Sequence, residues 1–195
     1  MLNPIELLIR FLTAAVVFMA LISSAHASVV RYEGEVTAEG MNQLVAKVAK
    51  LANAGDRNIT VSLNSGGGNL VAALKASRLL KQYGVHTTAY NDCSSSCTVL
   101  FAAGVNRSAS SSTTFLFHAV KVAKKSSKLF SSGSSYKLSS SAKNEFVTKY
   151  ANLWLDAVRE VSPSLADKLR RDNTLTKGSK EYSASSLRKF GYVNN

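Results

Sequence analysis

Acidic residues are scarce in this chain: 12 Asp and Glu stand against 24 Lys and Arg, a formal net charge of +12 over 195 residues. Such a balance favours acidic surfaces, among them anionic lipid head groups, phosphates and acidic peptides. The basic residues are dispersed and not interleaved with aromatics in one run, so no specific nucleic-acid interface is expected, and a solvated basic face is the plainer reading. Cysteine is nearly absent. Two residues, with no histidine beside them in sequence, argue against a metal site. Nucleotide loops are lacking as well: no Gly-Lys-Ser/Thr follows Gly66-Gly67-Gly68, and no third glycine completes G-x-G-x-x-G. No cofactor is expected. Beyond the N-terminal segment, no apolar run approaches the roughly 20 residues that a transmembrane helix needs.

What the N-terminus does have sets the expected compartment. Arg10 precedes the uncharged apolar stretch Phe11 to Ile22, and Ala25-His26-Ala27 offers small residues at positions −3 and −1 of a cleavage site. Residues 1–27 therefore read as a secretory signal peptide, and the mature chain as periplasmic or secreted. Glu6 offsets Arg10 and Leu7-Leu8-Ile9 lengthens the apolar run, which leaves an uncleaved membrane anchor as the alternative. Because Glu6 and Arg10 cancel, the mature chain keeps its net charge of +12. About 168 residues remain, enough for one domain with a core. Outside the cytoplasm Cys93 and Cys97 can bridge, provided that Cys93 precedes the helix proper; otherwise they pack as two small buried thiols.

Apolar periodicity alternates between strand and helix. Val29 to Tyr32, Ile59 to Leu63, Val85 to Tyr90 and Phe115 to Phe117 read as strands. Met41, Leu44, Val45, Val48 and Leu51 share one helix face; Leu70, Ala73, Leu74, Ser77 and Leu80 share another, before Gly84. The order implies an α/β layered domain with largely parallel strands. Residues 122–141 are rich in Ser and Lys, lack periodicity and read as a loop. Following His118 directly, it is either a lid over a cleft or a plain solvated insertion. Phe146, Tyr150, Leu153, Trp154, Ala157, Val158 and Val161 then trace an amphipathic helix, Ser162-Pro163 opens another, and Ser183 to Phe190 forms a last one stopped by Gly191.

Two segments carry chemistry. Asn64-Ser65-Gly66-Gly67-Gly68 and Cys93-Ser94-Ser95-Ser96-Cys97-Thr98 each follow a strand pattern and open a helical one, and the run Phe115-Leu116-Phe117 ends at His118. A hydroxyl at a helix start, glycine amides beside it and a histidine closing the next strand are the parts of a serine hydrolase. An ordinary strand-to-helix turn is the alternative for the glycine segment.

The order Asn-Ser-x-Gly-Gly, then Ser95 nine residues before Gly104 of Ala-Ala-Gly, then a strand ending in His118, resembles the Clp protease proteolytic subunit and its relatives of the Clp/crotonase fold. Small secreted bacterial Clp-like proteins with Cys-x-Ser-x-Cys-Thr here are the most similar. The resemblance covers Val29 to Val193, with its specific motifs between Ile59 and His118. It implies a single-domain Clp/crotonase-type spiral of ββα units, Ser95 as nucleophile, His118 as general base, and the backbone amides of Gly68 and Ser96 as oxyanion donors. It also implies that the helix after the loop is an oligomerisation handle; packing against its own domain fits the same stripe. Two residues depart from the family pattern, Gly66 for proline and Ser96 for methionine, and both leave the backbone donors intact. The acidic third member aligns with Ser179 or Gly178, neither of them acidic. A small gap brings in Asp172; otherwise the site is a Ser-His dyad, a Ser-Lys variant drawing on Lys121, or inactive.

The expected function is therefore an exported serine peptidase acting on peptide or protein substrates without an ATPase partner. The alternative is a catalytically inactive relative that binds an acidic partner through its basic face.

Overall fold

In the computed structural model, which describes residues 27–122 and 139–195, the hydrophobic strand runs stack side by side and the helices cover them as one α/β domain. The expected signal peptide, save Ala27, and most of the Ser/Lys-rich 122–141 segment lie outside the described residues.

β1 (Ser28–Glu33), β2 (Ile59–Ser65) and β3 (His86–Cys93) are parallel, with Val30 beside Val61 and Val61 beside Thr87. Val61 and Leu63 are fully buried, as parallel strands covered on both faces require. β3 then serves two neighbours. Its first half pairs with the short β4 (Arg107–Ala109), and Asp92 near its end pairs with Thr114 of β5 (Thr114–His118). β6 (Ser179–Ser183) runs antiparallel to β5, so the six-stranded sheet is mixed. Neither β4 nor β6 was legible in the periodicity: one has three residues, and Tyr182 is the single buried residue of the other.

Among the described residues six helices accompany the sheet: α1 (Ala38–Asn53), α2 (Leu70–Gln82), α3 (Ser96–Phe101), α4 (Ser140–Arg159), α5 (Pro163–Arg171) and α6 (Ala184–Lys189). Ser140 and Ser141, expected in the loop, already belong to α4, because the Ser139 hydroxyl caps the Ala142 amide at 3.1 Å. The C-terminal half of α4 buries Ala151, Trp154, Leu155 and Val158 against its own domain. Phe101, Phe115, Phe117, Tyr182, Tyr192 and Trp154 form the aromatic heart of the core. Arg107 is buried with them: its guanidinium donates to the carbonyls of Gly104, Gly191 and Tyr192 and fastens the C-terminus to β4. No helix among the described residues is long and apolar enough to cross a membrane.

Candidate functional site

β3 ends at Cys93 and α3 begins at Ser96, so Ser94 and Ser95 carry the reversal. Ser95 takes φ 55° and ψ −127°, a conformation that costs a residue with a Cβ about 1–3 kcal/mol. Its surroundings hold it there. The Ser95 amide donates to the Leu116 carbonyl on β5 at 2.7 Å. The Ser95 carbonyl accepts from the Thr98 amide at 3.0 Å and from the Thr98 hydroxyl at 2.8 Å. A disulfide between Cys93 and Cys97, Cα atoms 5.1 Å apart and both residues fully buried, closes the turn. Cys93 sits on the strand, ahead of the helix, as the bond demands.

The three serines of this turn differ in what their hydroxyls do. Ser94 is buried and donates to the Asp92 carboxylate. Ser96 is fully buried, and its hydroxyl has no partner among the described residues. Ser95 is half-buried and, although it occupies the N-cap of α3, its side chain makes no capping bond. The N-caps of α1, α2, α4, α5 and α6 all use their side chains in that way. Of the three, only Ser95 is partly exposed, and its hydroxyl has no hydrogen-bond partner among the described residues.

The glycine segment lies directly against this turn. Ser65 accepts from the Gly67 amide at 3.1 Å, and Gly67 has φ 94°. A Cβ on Gly67 would lie 2.5 Å from the Ser95 Cβ, 2.7 Å from the Ser94 carbonyl oxygen and 3.0 Å from the Ser96 nitrogen, so the approach demands glycine. Next to it, Val36 donates to the Gly67 carbonyl and accepts from the Asn69 amide, each at 2.8 Å. In such a parallel bridge the intervening Gly68 amide faces away from Val36. Neither it nor the Ser96 amide, the first of α3, has an acceptor among the described residues.

His118 closes β5 two residues beyond Leu116, on the same face of the strand and roughly 7 Å further along. The structure thus brings the Ser95 backbone, the glycine loop and the His118 strand to one end of the sheet. His118 Nδ1 lies 2.7 Å from the Ala119 carbonyl oxygen. A carbonyl has no proton to give, so Nδ1 donates in this bond, and Nε2 has no hydrogen-bond partner among the described residues. The ring also meets Trp154 edge to face, centroids 6.1 Å apart.

No family model matches this chain, and no curated protein matches it.

Among the described residues no hydrogen bond joins Asp172 to His118. Asp172 ends α5, where its carboxylate accepts from Lys168 at 2.9 Å and, chiefly through that bond, raises the Lys168 pKa. Asp167 accepts from Arg159, Glu181 pairs with Leu116 across β5 and β6, and Lys121 is exposed. The strand register instead sets Ser179 opposite His118. Among the described residues no His, Cys, Asp and Glu group has the makings of a metal site. Sequence reasoning missed Leu116, Thr98, Ala119 and Trp154 as parts of this constellation. The sole tryptophan on a buried helical stripe was a visible signal, yet nothing in its spacing pointed to Thr98, 56 residues earlier.

Proposed function

We propose that this chain is an exported, ATP-independent serine peptidase of the Clp/crotonase fold, with Ser95 as nucleophile and His118 as base. One observation carries the reading: Ser95 sits in a strained strand-to-helix turn, its hydroxyl uncommitted, while its amide is hydrogen-bonded to the strand that ends in His118. Strain held in place at a nucleophile is a mark of functional turns. In this reading the glycine loop, serine turn and histidine strand belong to the spiral of ββα units that the resemblance implies.

In this mechanism His118 Nε2 takes the Ser95 hydroxyl proton as the oxygen attacks the peptide carbonyl. The negative oxygen that forms is received by the amides of Gly68 and Ser96. His118 then gives its proton to the leaving amine, and water, deprotonated by the same nitrogen, releases the acyl group. The Ala119 carbonyl orients the imidazole in place of a carboxylate, which favours a Ser-His dyad over a triad containing Asp172. The buried Cys93–Cys97 disulfide fits an oxidising compartment and with it a signal peptide spanning residues 1–27. Peptides or proteins are the substrates; an oligomer built through α4 and contact with an anionic surface belong to the same reading, and an ATPase partner does not.

Fluorophosphonate treatment of the purified mature protein is the test. Labelling confined to Ser95 supports the peptidase, and clean absence of labelling refutes it. A second reading, a non-catalytic binder of acidic partners, draws on the groove between β1 and α1 that Arg31, Lys47 and Lys50 line.

A further inference from the structure

The Trp154 indole N–H donates to the Thr98 hydroxyl at 2.9 Å, and the Thr98 hydroxyl donates to the Ser95 carbonyl at 2.8 Å. The direction of this chain is fixed. An indole nitrogen can only donate, so the Thr98 oxygen accepts there and its one proton goes to Ser95. Trp154 and Thr98 are both essentially inaccessible to solvent, at 1% and 0% exposure, so water does not compete for these bonds.

The Ser95 carbonyl and the Ser96 amide belong to one peptide unit. No peptide bond among the described residues is cis, and in a trans unit the C=O and N–H point in opposite directions across a rigid plane. Whatever anchors the carbonyl from the core side therefore aims the Ser96 N–H away from that side. The same Trp154 ring stands edge to face against His118. One side chain on α4 thus supports both the peptide plane that follows Ser95 and the imidazole.

We infer that Trp154 and Thr98 are positioning residues which, through the Ser95 carbonyl, aim the Ser96 amide at the developing oxyanion. This rests on the catalytic reading of Ser95 proposed above. Neither side chain touches substrate; their effect is on the orientation of a donor, and so on the rate of the bond-making step more than on binding.

The experiment compares wild type, Trp154→Phe, Thr98→Val and Thr98→Ser by the concentration dependence of fluorophosphonate labelling, per folded molecule, with thermal stability measured alongside. Removing an oxyanion donor outright costs roughly 10²–10³ in rate, so a donor left mis-aimed should cost about 10- to 100-fold. That loss is expected in the maximal labelling rate for Trp154→Phe and Thr98→Val, with the half-saturating concentration little changed. Thr98→Ser retains the hydroxyl and should recover to within a few-fold of wild type. Combining Trp154→Phe with Thr98→Val should cost little more than either alone, since both cut one chain. Should Trp154→Phe not fold, the Thr98→Val and Thr98→Ser pair still decides. Wild-type labelling at Ser95 with unchanged maximal rates in the folded variants overturns the positioning role and leaves the nucleophile standing. No labelling of wild type overturns the catalytic reading and this inference together.

Discussion

Ser95 and its two serine neighbours show how far one residue's surroundings can separate chemically identical side chains. Ser94 is tied to Asp92, Ser96 is sealed in the core, and Ser95 is held at φ 55° with its hydroxyl unpaired among the described residues. Ser95→Ala and His118→Ala are each expected to abolish nearly all fluorophosphonate labelling or peptide hydrolysis, and the double variant to lose little more, because members of one catalytic unit are strongly non-additive. Asp172→Asn tests the dyad. Its carboxylate is engaged by Lys168, so activity should fall less than tenfold; a loss on the order of the 10⁴-fold that follows removal of a triad aspartate would restore Asp172 as third member. Ser96→Ala removes a buried hydroxyl that has no partner among the described residues. An unsatisfied buried polar group costs about 1–3 kcal/mol, so this variant should melt at or above the wild-type temperature by calorimetry.

At the scale of the element, the turn between β3 and α3 is braced from three sides: by β5 through Leu116, by the glycine segment, and by the disulfide. Gly67→Ala would force a Cβ to within 2.5 Å of the Ser95 Cβ and 2.7 Å of the Ser94 carbonyl. Neither contact is the far end of a flexible side chain. Loss of labelling is expected together with a drop in stability, whereas labelling at the wild-type rate would refute the close docking of the two segments. Replacing both Cys93 and Cys97 by Ala releases a loop with a sequence separation of 4, for which chain entropy gives about 2 kcal/mol. Denaturant unfolding of the variant should show an unfolding free energy lowered by about that amount, and labelling should slow because the turn is less firmly held.

For the whole molecule, the C-terminal segment closes the core over the site. Tyr192 is fully buried, and its hydroxyl donates to the Thr98 carbonyl, which also accepts from the Ala102 amide. Burial pushes the Tyr192 pKa far above its ordinary value, with Arg107 and the Thr98 hydrogen bond acting the other way; burial raises Tyr182 as well. The folded-state pKa thus lies above the unfolded value of about 10. Below that pH both states hold the proton and stability is intact. As pH rises beyond it, the unfolded chain ionises first and stability falls. Melting temperature should therefore decline above about pH 10, and Tyr192→Phe should flatten this decline while costing about 1 kcal/mol at neutral pH, the usual net worth of one hydrogen bond. Export is a second whole-molecule expectation: mass spectrometry of the secreted protein should find Ser28 as the N-terminus, and intact Met1 in the membrane fraction would instead establish an anchor.

The α/β class, the first three strands, the helix faces and the placing of both glycine and serine segments between strand and helix were legible in the sequence by itself, because each follows from local periodicity and turn chemistry. Cys93 ahead of the helix was legible too, as a condition for the disulfide that the structure meets. β6 was not, since four of its five residues are exposed and its strand state exists only through pairing with β5. The same holds for the details of the candidate site. That Ser94 turns to Asp92 and that the Ala119 carbonyl accepts from His118 are side-chain orientations that spacing does not record, and that Trp154 reaches Thr98 is decided by the packing of α4 against α3. Spacing along a chain records which residues share a face of one element. Only the packing of several elements decides which side chain of three neighbouring serines is left free.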